Sequence, residues 1–412
     1  MKYLFLILIA SCLLSTGVNS QKKHVPAKSM VYFPPAGQWK HQPAYVFFDT
    51  VKLRAAIQFA KDHEINQTRN MELLQATTFG KEPFGEGIGP FANRGEPTGL
   101  ILYKGMIVAE WGEPNRVDMT HSVTKSFLST VVGLAVEKGL IKEVTDKVID
   151  YVPFVELYDP LRANRAAEEM DKPLLVYPFN TLHNQAITWD DMLRQTSDWE
   201  GTLWGKPEWA DRPNADITTW LTRPRKTPGT VWEYNDVRVN ALALAATNVW
   251  RTPLPQVLKQ HVMDPIGAST TWRWTGYKNA YIVLDGQIMQ SVSGGGHWGG
   301  GMFINAYDMA RFGLLTLHKG NWNGQQLIPE TWIERSLTPT LPQPTYGYMN
   351  FFLNTDKKYY PSAAASAFVH VGNGTNIIYV DRENDLVLVA RWIDNKKIDG
   401  LVKGVLEAFK AH

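Results

Sequence analysis

The placing of the β-branched runs constrains the fold of this chain more than any other feature. Residues 98–112, "TGLILYKGMIVAEWG", read as a β-hairpin broken at Lys104-Gly105. Clear runs of this kind return at the far end: "FVHVG" at 368–372, "TNIIYVD" at 375–381 and "DLVLVARWI" at 385–393. The segments between carry a helical period, at 121–138, 187–197, 236–250 and 306–318. Thr188, Asn235 or Asp236, and Asn305 stand where helix caps belong. Further helices are predicted over 50–62 and 397–410. Strands at both ends and helices between them predict an α/β (α+β) fold. One sheet is drawn from both ends of the chain and carries an inserted helical region.

The first twenty residues, "MKYLFLILIASCLLSTGVNS", have the grammar of a secretory signal. They combine a lysine, a short apolar middle and a small-residue ending before Gln21. Ile9-Ala10-Ser11-Cys12 also fits a lipoprotein box, but Leu13-Leu14 continues the apolar run, so plain cleavage after Ser20 is favoured. Cys12 is the only cysteine. A mature chain without it has no disulfide, no thiolate metal site and no cysteine nucleophile. Residues 21–45 read as an extended N-terminal arm and 46–412 as one folded domain. The formal charge of +2 gives no footprint for nucleic acid or an anionic membrane. No later stretch reaches transmembrane length.

Within "HSVTKSF" (121–127), Ser122 and Lys125 stand three apart, on one face if the segment is helical. An apolar run follows, so the lysine charge is desolvated and the amine becomes a usable base. The serine at the first turn also sits where backbone N–H groups favour an oxyanion. A helix cap and a solvent-seeking lysine explain the same two residues equally well.

Two later stretches shift that balance: "PGTVWEYND" at 228–236 and "FVHVGNGT" at 368–375. Ser-x-x-Lys, a later tyrosine, and His-x-Gly on a late strand, in this order, resemble the serine beta-lactamase-like hydrolases. The likeness is nearest to class C beta-lactamases, their esterase relatives and the 6-aminohexanoate-dimer hydrolases. "GLIKEVTDKVIDYVP", "ITWDDMLRQTS" and "GGGMFINAYDMARFG" extend it from about residue 50 to the C-terminus. The resemblance implies a beta-lactamase/transpeptidase-like fold. That fold is an antiparallel sheet flanked by helices, with an all-helical region, roughly 145–290 here, beside it.

The resemblance also implies roles. Ser122 is the acylated nucleophile, Lys125 its proton acceptor, and Tyr234 the group that passes the proton to the leaving group. The backbone N–H groups of Ser122 and Asn373 form the oxyanion hole, and His370 and Gly372 line the pocket from an edge strand. Asp236 and Trp298 are candidate substrate contacts, although Asp236 also suits a helix cap and His297-Trp298 also suits turn scaffolding. Trp199, Trp204 and Trp209 are candidates for the cleft wall. The sequence departs from the family pattern twice, with Asp236 where relatives carry the Asn of Tyr-x-Asn and His370 where many carry the Lys of Lys-Thr-Gly. Both departures weaken attraction for a substrate carboxylate.

The resulting expectation is an exported serine hydrolase, periplasmic or secreted, acting on a small ester or amide. D,D-peptidase, D-aminopeptidase and beta-lactamase activities, or an inactive envelope-binding protein, are the alternatives. No cofactor, metal, nucleic acid or stable membrane insertion is expected.

Overall fold

In the computed structural model, residues 31–161, 172–213 and 217–410 are described. The signal-like segment, Cys12, the start of the arm and the centre of the 159–186 insertion lie outside them. Residues 32–412 form one compact unit.

The elements that position the site are numbered here in chain order. The strands are β1 (Thr98–Tyr103), β2 (Met106–Trp111), β3 (Asp118–Met119), β4 (Val155–Leu157), β5 (Leu174–Val176), β6 (Arg273–Leu284), β7 (Gln287–Val292), β8 (Gly301–Ile304), β9 (Phe351–Leu353), β10 (Phe368–Gly372), β11 (Asn376–Asp381) and β12 (Leu386–Arg391). The helices are α1 (Thr50–Asp62), α2 (Thr124–Glu137), α3 (Asp236–Trp250), α4 (Ala306–Leu317) and α5 (Ile398–Glu407).

The main sheet runs β9-β10-β11-β12-β1-β2, antiparallel throughout. The N-terminal hairpin joins the C-terminal strands at β1–β12, with Thr98 opposite Arg391 and Tyr103 opposite Leu386. Helices cover both faces of the sheet. Ile101, Tyr379 and Leu388 pack with Leu53, Ala56, Leu401 and Val405 of α1 and α5. Leu100, Ile378, Val387 and Val389 pack with Phe127, Leu128 and Phe312 of α2 and α4. Burial on both faces explains why these strands read as unbroken apolar runs rather than as an alternation. The fold is therefore mixed α/β with antiparallel sheets flanked by helices.

The stretch 145–290 is not wholly helical. It supplies four strands of a second antiparallel sheet, ordered β3-β8-β6-β4-β5 with β7 paired to β6. Strand β6, "RWTGYKNAYIVL", shifts register between Gly276 and Tyr281. That irregularity, with Lys278 and Asn279 inside the strand, hides its period. Strand β10 is not an edge strand, because β9 lies outside it. The arm beyond residue 31 runs along β2, where Gln42 N–H donates to Ile107 O at 2.8 Å. It also supplies Pro34 O and Pro35 O to the buried Arg311 guanidinium. No described helix is long and apolar enough to cross a membrane.

Candidate active site

The turn His121–Val123 is a 3-10 helix that leads directly into α2. Strand β3 delivers it, and His121 takes a left-handed φ of 50°. Ser122 therefore sits at the mouth of the helix, while Lys125 projects from its first turn into the interior, fully buried. The Lys125 ammonium has three donors and uses all of them. It donates to Ser122 Oγ at 2.8 Å and Gly294 O at 3.2 Å, and it pairs with Asp236 Oδ1 at 2.7 Å. Its nitrogen lies 5.1 Å from the centre of the Tyr234 ring.

Asn235 caps α3 by accepting from Arg238 N–H at 3.1 Å, which leaves Asp236 as the first helical residue. Asp236 is no mere cap. Besides Lys125 it accepts from Arg212 at 3.0 Å and from His297 Nδ1 at 3.2 Å. Burial opposes its ionisation, yet the charges of Lys125 and Arg212 hold its carboxyl well below the usual range. Asp211 accepts from the Asp236 N–H and from Arg212. Burial, reinforced by the Asp236 charge, pushes Asp211 up to about 6. Hydrocarbon alone does not surround the amine, as the apolar run had predicted; a carboxylate faces it. Asp211, Asp236 and His297 stand close enough to share a metal ion. However, Lys125 and Arg212 already neutralise the two carboxylates.

Tyr234 precedes the α3 cap, and its hydroxyl donates to Asn350 Oδ1 at 3.2 Å. Burial raises its pKa, and the Asp236 charge adds to the rise, so the phenol keeps its proton at neutral pH. Ser122, Tyr234, Asp236, Gly372 and Asn373 all line one cavity of about 740 Å³. Gly372 brings the end of β10 against the serine turn. A Cβ there would collide with Thr120 O and lie 3.0 Å from Ser122 N.

Two expected contacts lie elsewhere. His370 does not line the cavity. It points from β10 to the opposite side of the sheet, fully buried among Phe351, Phe312 and Phe368. There it shares a 2.9 Å hydrogen bond with Ser126 Oγ. Burial lowers its pKa to about 3, so it is neutral. Its neighbour Val371 takes the cavity face. Trp298 is also fully buried, packed against His297 and under the Lys206 ammonium. It scaffolds the turn while His297 lines the cavity. Trp199 and Trp204 are buried and Trp209 stacks edge-on with Phe84; none of the three is a described wall of the cavity.

Sequence reasoning overlooked Arg212, Asp211 and Asn350. The first two sit in the Trp- and Pro-rich loop 198–232, where a run of aromatics masks them. Asn350 has no motif around it. Its only mark is a left-handed φ of 61°, a conformation that asparagine tolerates better than most residues. The far cavity wall is aromatic, made by Phe352, Tyr359 and Tyr360.

A family model described as Beta-lactamase matches residues 112–396. Among solved structures, the chain is similar to a family VIII carboxylesterase, with a TM-score of 0.55 at 16% identity, covering 90% of this chain and 99% of that one. It is also similar to a penicillin-binding protein homolog from Caulobacter crescentus, with a TM-score of 0.55 at 13% identity, covering 87% and 98%. A third is EstCE1, a hydrolase with promiscuous acyltransferase activity, with a TM-score of 0.51 at 13% identity, covering 86% and 99%. At such identities these likenesses speak for the fold alone. No curated protein matches the chain.

Proposed function

Because the chain belongs to the beta-lactamase family, we propose that it is a serine hydrolase that cleaves small esters or amides through an acyl-enzyme on Ser122. One observation carries the reading: the Lys125 amine stands 2.8 Å from Ser122 Oγ, shielded from water, with Tyr234 beside both.

In the reacting form Lys125 has released one proton to solvent; Ser122 Oγ attacks the carbonyl carbon and gives its proton to that neutral amine. Asp236, 2.7 Å away, balances the charge that develops on the ammonium. The backbone N–H groups of Ser122 and Asn373 receive the oxyanion. Tyr234 relays the proton to the leaving oxygen or nitrogen as its bond to carbon breaks. Water then attacks the acyl-enzyme, and the same groups work in reverse.

The cavity chemistry supports a substrate without an obligatory carboxylate. With His370 turned away, Arg212 is the one lysine or arginine at the cavity wall among the described residues, and Asp211 and Asp236 already hold it. Phe352, Tyr359 and Tyr360 suit an apolar acyl or alcohol group. Residues 46–412 serve as the catalytic domain in this reading. The signal-like residues 1–20 support export to the periplasm or medium.

A fluorophosphonate probe tests the reading. It is expected to label wild type and not Ser122→Ala, and an unlabelled wild type would overturn the proposal. In parallel assays, p-nitrophenyl esters should turn over well above a chromogenic cephalosporin; the reverse order would shift the substrate class to lactams.

A further inference from the structure

The hydroxyl of Tyr234 is held by a group that no motif announces. Asn350 Oδ1 accepts from Tyr234 at 3.2 Å and from the Tyr346 hydroxyl at 3.3 Å. The Asn350 amide donates to Val371 O at 2.5 Å, one residue before Gly372. Its backbone N–H donates to the Tyr346 hydroxyl at 3.0 Å. That hydroxyl also accepts from Gln195 Nε2 at 3.2 Å. Gln195 in turn clasps the chain on either side of Tyr234. Its backbone carbonyl accepts from Glu233 N–H at 3.0 Å, and its Oε1 accepts from Asn235 N–H at 2.7 Å.

Asn350, Gln195 and Tyr346 are each at most 2% exposed. A buried network of this kind is worth its desolvation only if every member is satisfied, and here the partners close on one another. The backbone bends to build it: Met349 and Asn350 take φ of 21° and 61°. Strain of this sort persists where the surroundings impose it, and such positions cluster at working sites. The network links the tyrosine hydroxyl to the strand that ends beside Ser122.

We propose that Asn350, braced by Tyr346 and Gln195, is a positioning residue that fixes the Tyr234 oxygen beside Ser122, so that the hydroxyl can turn its one proton from Asn350 Oδ1 to the leaving group as it takes the proton held by Lys125. The proposal rests on the serine-hydrolase reading. It makes a demand that a purely structural role does not. A p-nitrophenolate departs without a proton, whereas an alkoxide must receive one as it leaves. Loss of aim therefore slows alkyl esters selectively.

The test is the acylation rate constant of full-length wild type, Asn350→Gly and Tyr346→Phe on a p-nitrophenyl ester and on the ethyl ester of the same acid. Glycine tolerates the left-handed backbone at 350, and phenylalanine keeps the Tyr346 ring. For Asn350→Gly the ethyl ester should slow about 30-fold and the p-nitrophenyl ester less than about 3-fold, with KM for both within about 3-fold. Tyr346→Phe should show the same selectivity at about one-third of the loss. Equal losses on both esters, or none in either variant, would overturn the proposal while leaving fluorophosphonate labelling of Ser122 intact. If wild type takes no label, the hydrolase reading falls and this inference falls with it.

Discussion

Two fully buried ionisable side chains meet at helix α2, His370 against it and Lys125 on it, and they solve the same electrostatic problem in opposite ways. Around His370 the neighbours are aromatic rings and the hydroxyls of Ser126 and Thr316, and the imidazole gives up its charge. Beside Lys125 stands Asp236, which Arg212 also holds, and that pairing keeps the Asp236 carboxylate ionised. Burial is equal in the two places, so depth alone does not decide whether a group is ionised. The partners decide, because removing a charge from water is tolerable only when an opposite charge or good hydrogen bonds replace the solvent.

The sharpest break of this comparison is Lys125→Arg. A guanidinium keeps the positive charge opposite Asp236 but cannot accept the serine proton. Ester turnover should fall by about 10³-fold or more while circular dichroism still reports a folded chain. Activity within tenfold of wild type would remove Lys125 from the chemistry.

Asp236→Ala comes next. It leaves the buried Lys125 without its carboxylate and Arg212 with Asp211 alone, and should cost about 3–5 kcal/mol in urea unfolding, the range for breaking a buried pair. A loss under about 1 kcal/mol would mean that the cluster is solvated.

Stability against pH separates the two neighbourhoods. The folded-state value of His370 is about 3, against about 6.5 in the unfolded chain. His121, lowered to about 4 by burial and then by Arg391 and Lys125, behaves alike. As pH falls below about 6.5 the unfolded chain binds protons first. The stability present above that point is therefore lost towards pH 4, on the order of 2–3 kcal/mol per histidine. Asp211 has the opposite sign. Its value, raised to about 6, means a contribution that is full below about 4 and lost as pH rises through 6. His370→Gln should flatten the acid loss, and Asp211→Asn should remove the opposing slope, both read from urea midpoints between pH 4 and 8.

The smallest expected effect is catalytic. His370→Gln should change kcat/KM on esters by less than about 3-fold, since the side chain faces away from the cavity. A larger loss, with a changed pH–rate profile, would tie His370 to the chemistry after all.

Much of the frame was legible from local pattern. The hairpin at 98–112, the caps at Thr188, Asn235 and Asn305, and the three late strands depend on neighbours in sequence. The second sheet was not, because β6 interrupts its own period at the Gly276–Tyr281 bulge. The facing of residue 370 was illegible for another reason. A strand buried on both sides carries no polar alternation to say which side meets the cavity. Arg212 and Asn350 reach the site from loops, where no period marks a functional side chain.

The chain alone determined that Ser122 and Lys125 share a face, because a helical turn places residues three apart together whatever surrounds them. Only the tertiary structure decided what opposes that amine and what holds the tyrosine. Asp236, Arg212 and Asn350 arrive from distant segments, and charge and hydrogen bonding act through space, not along the backbone.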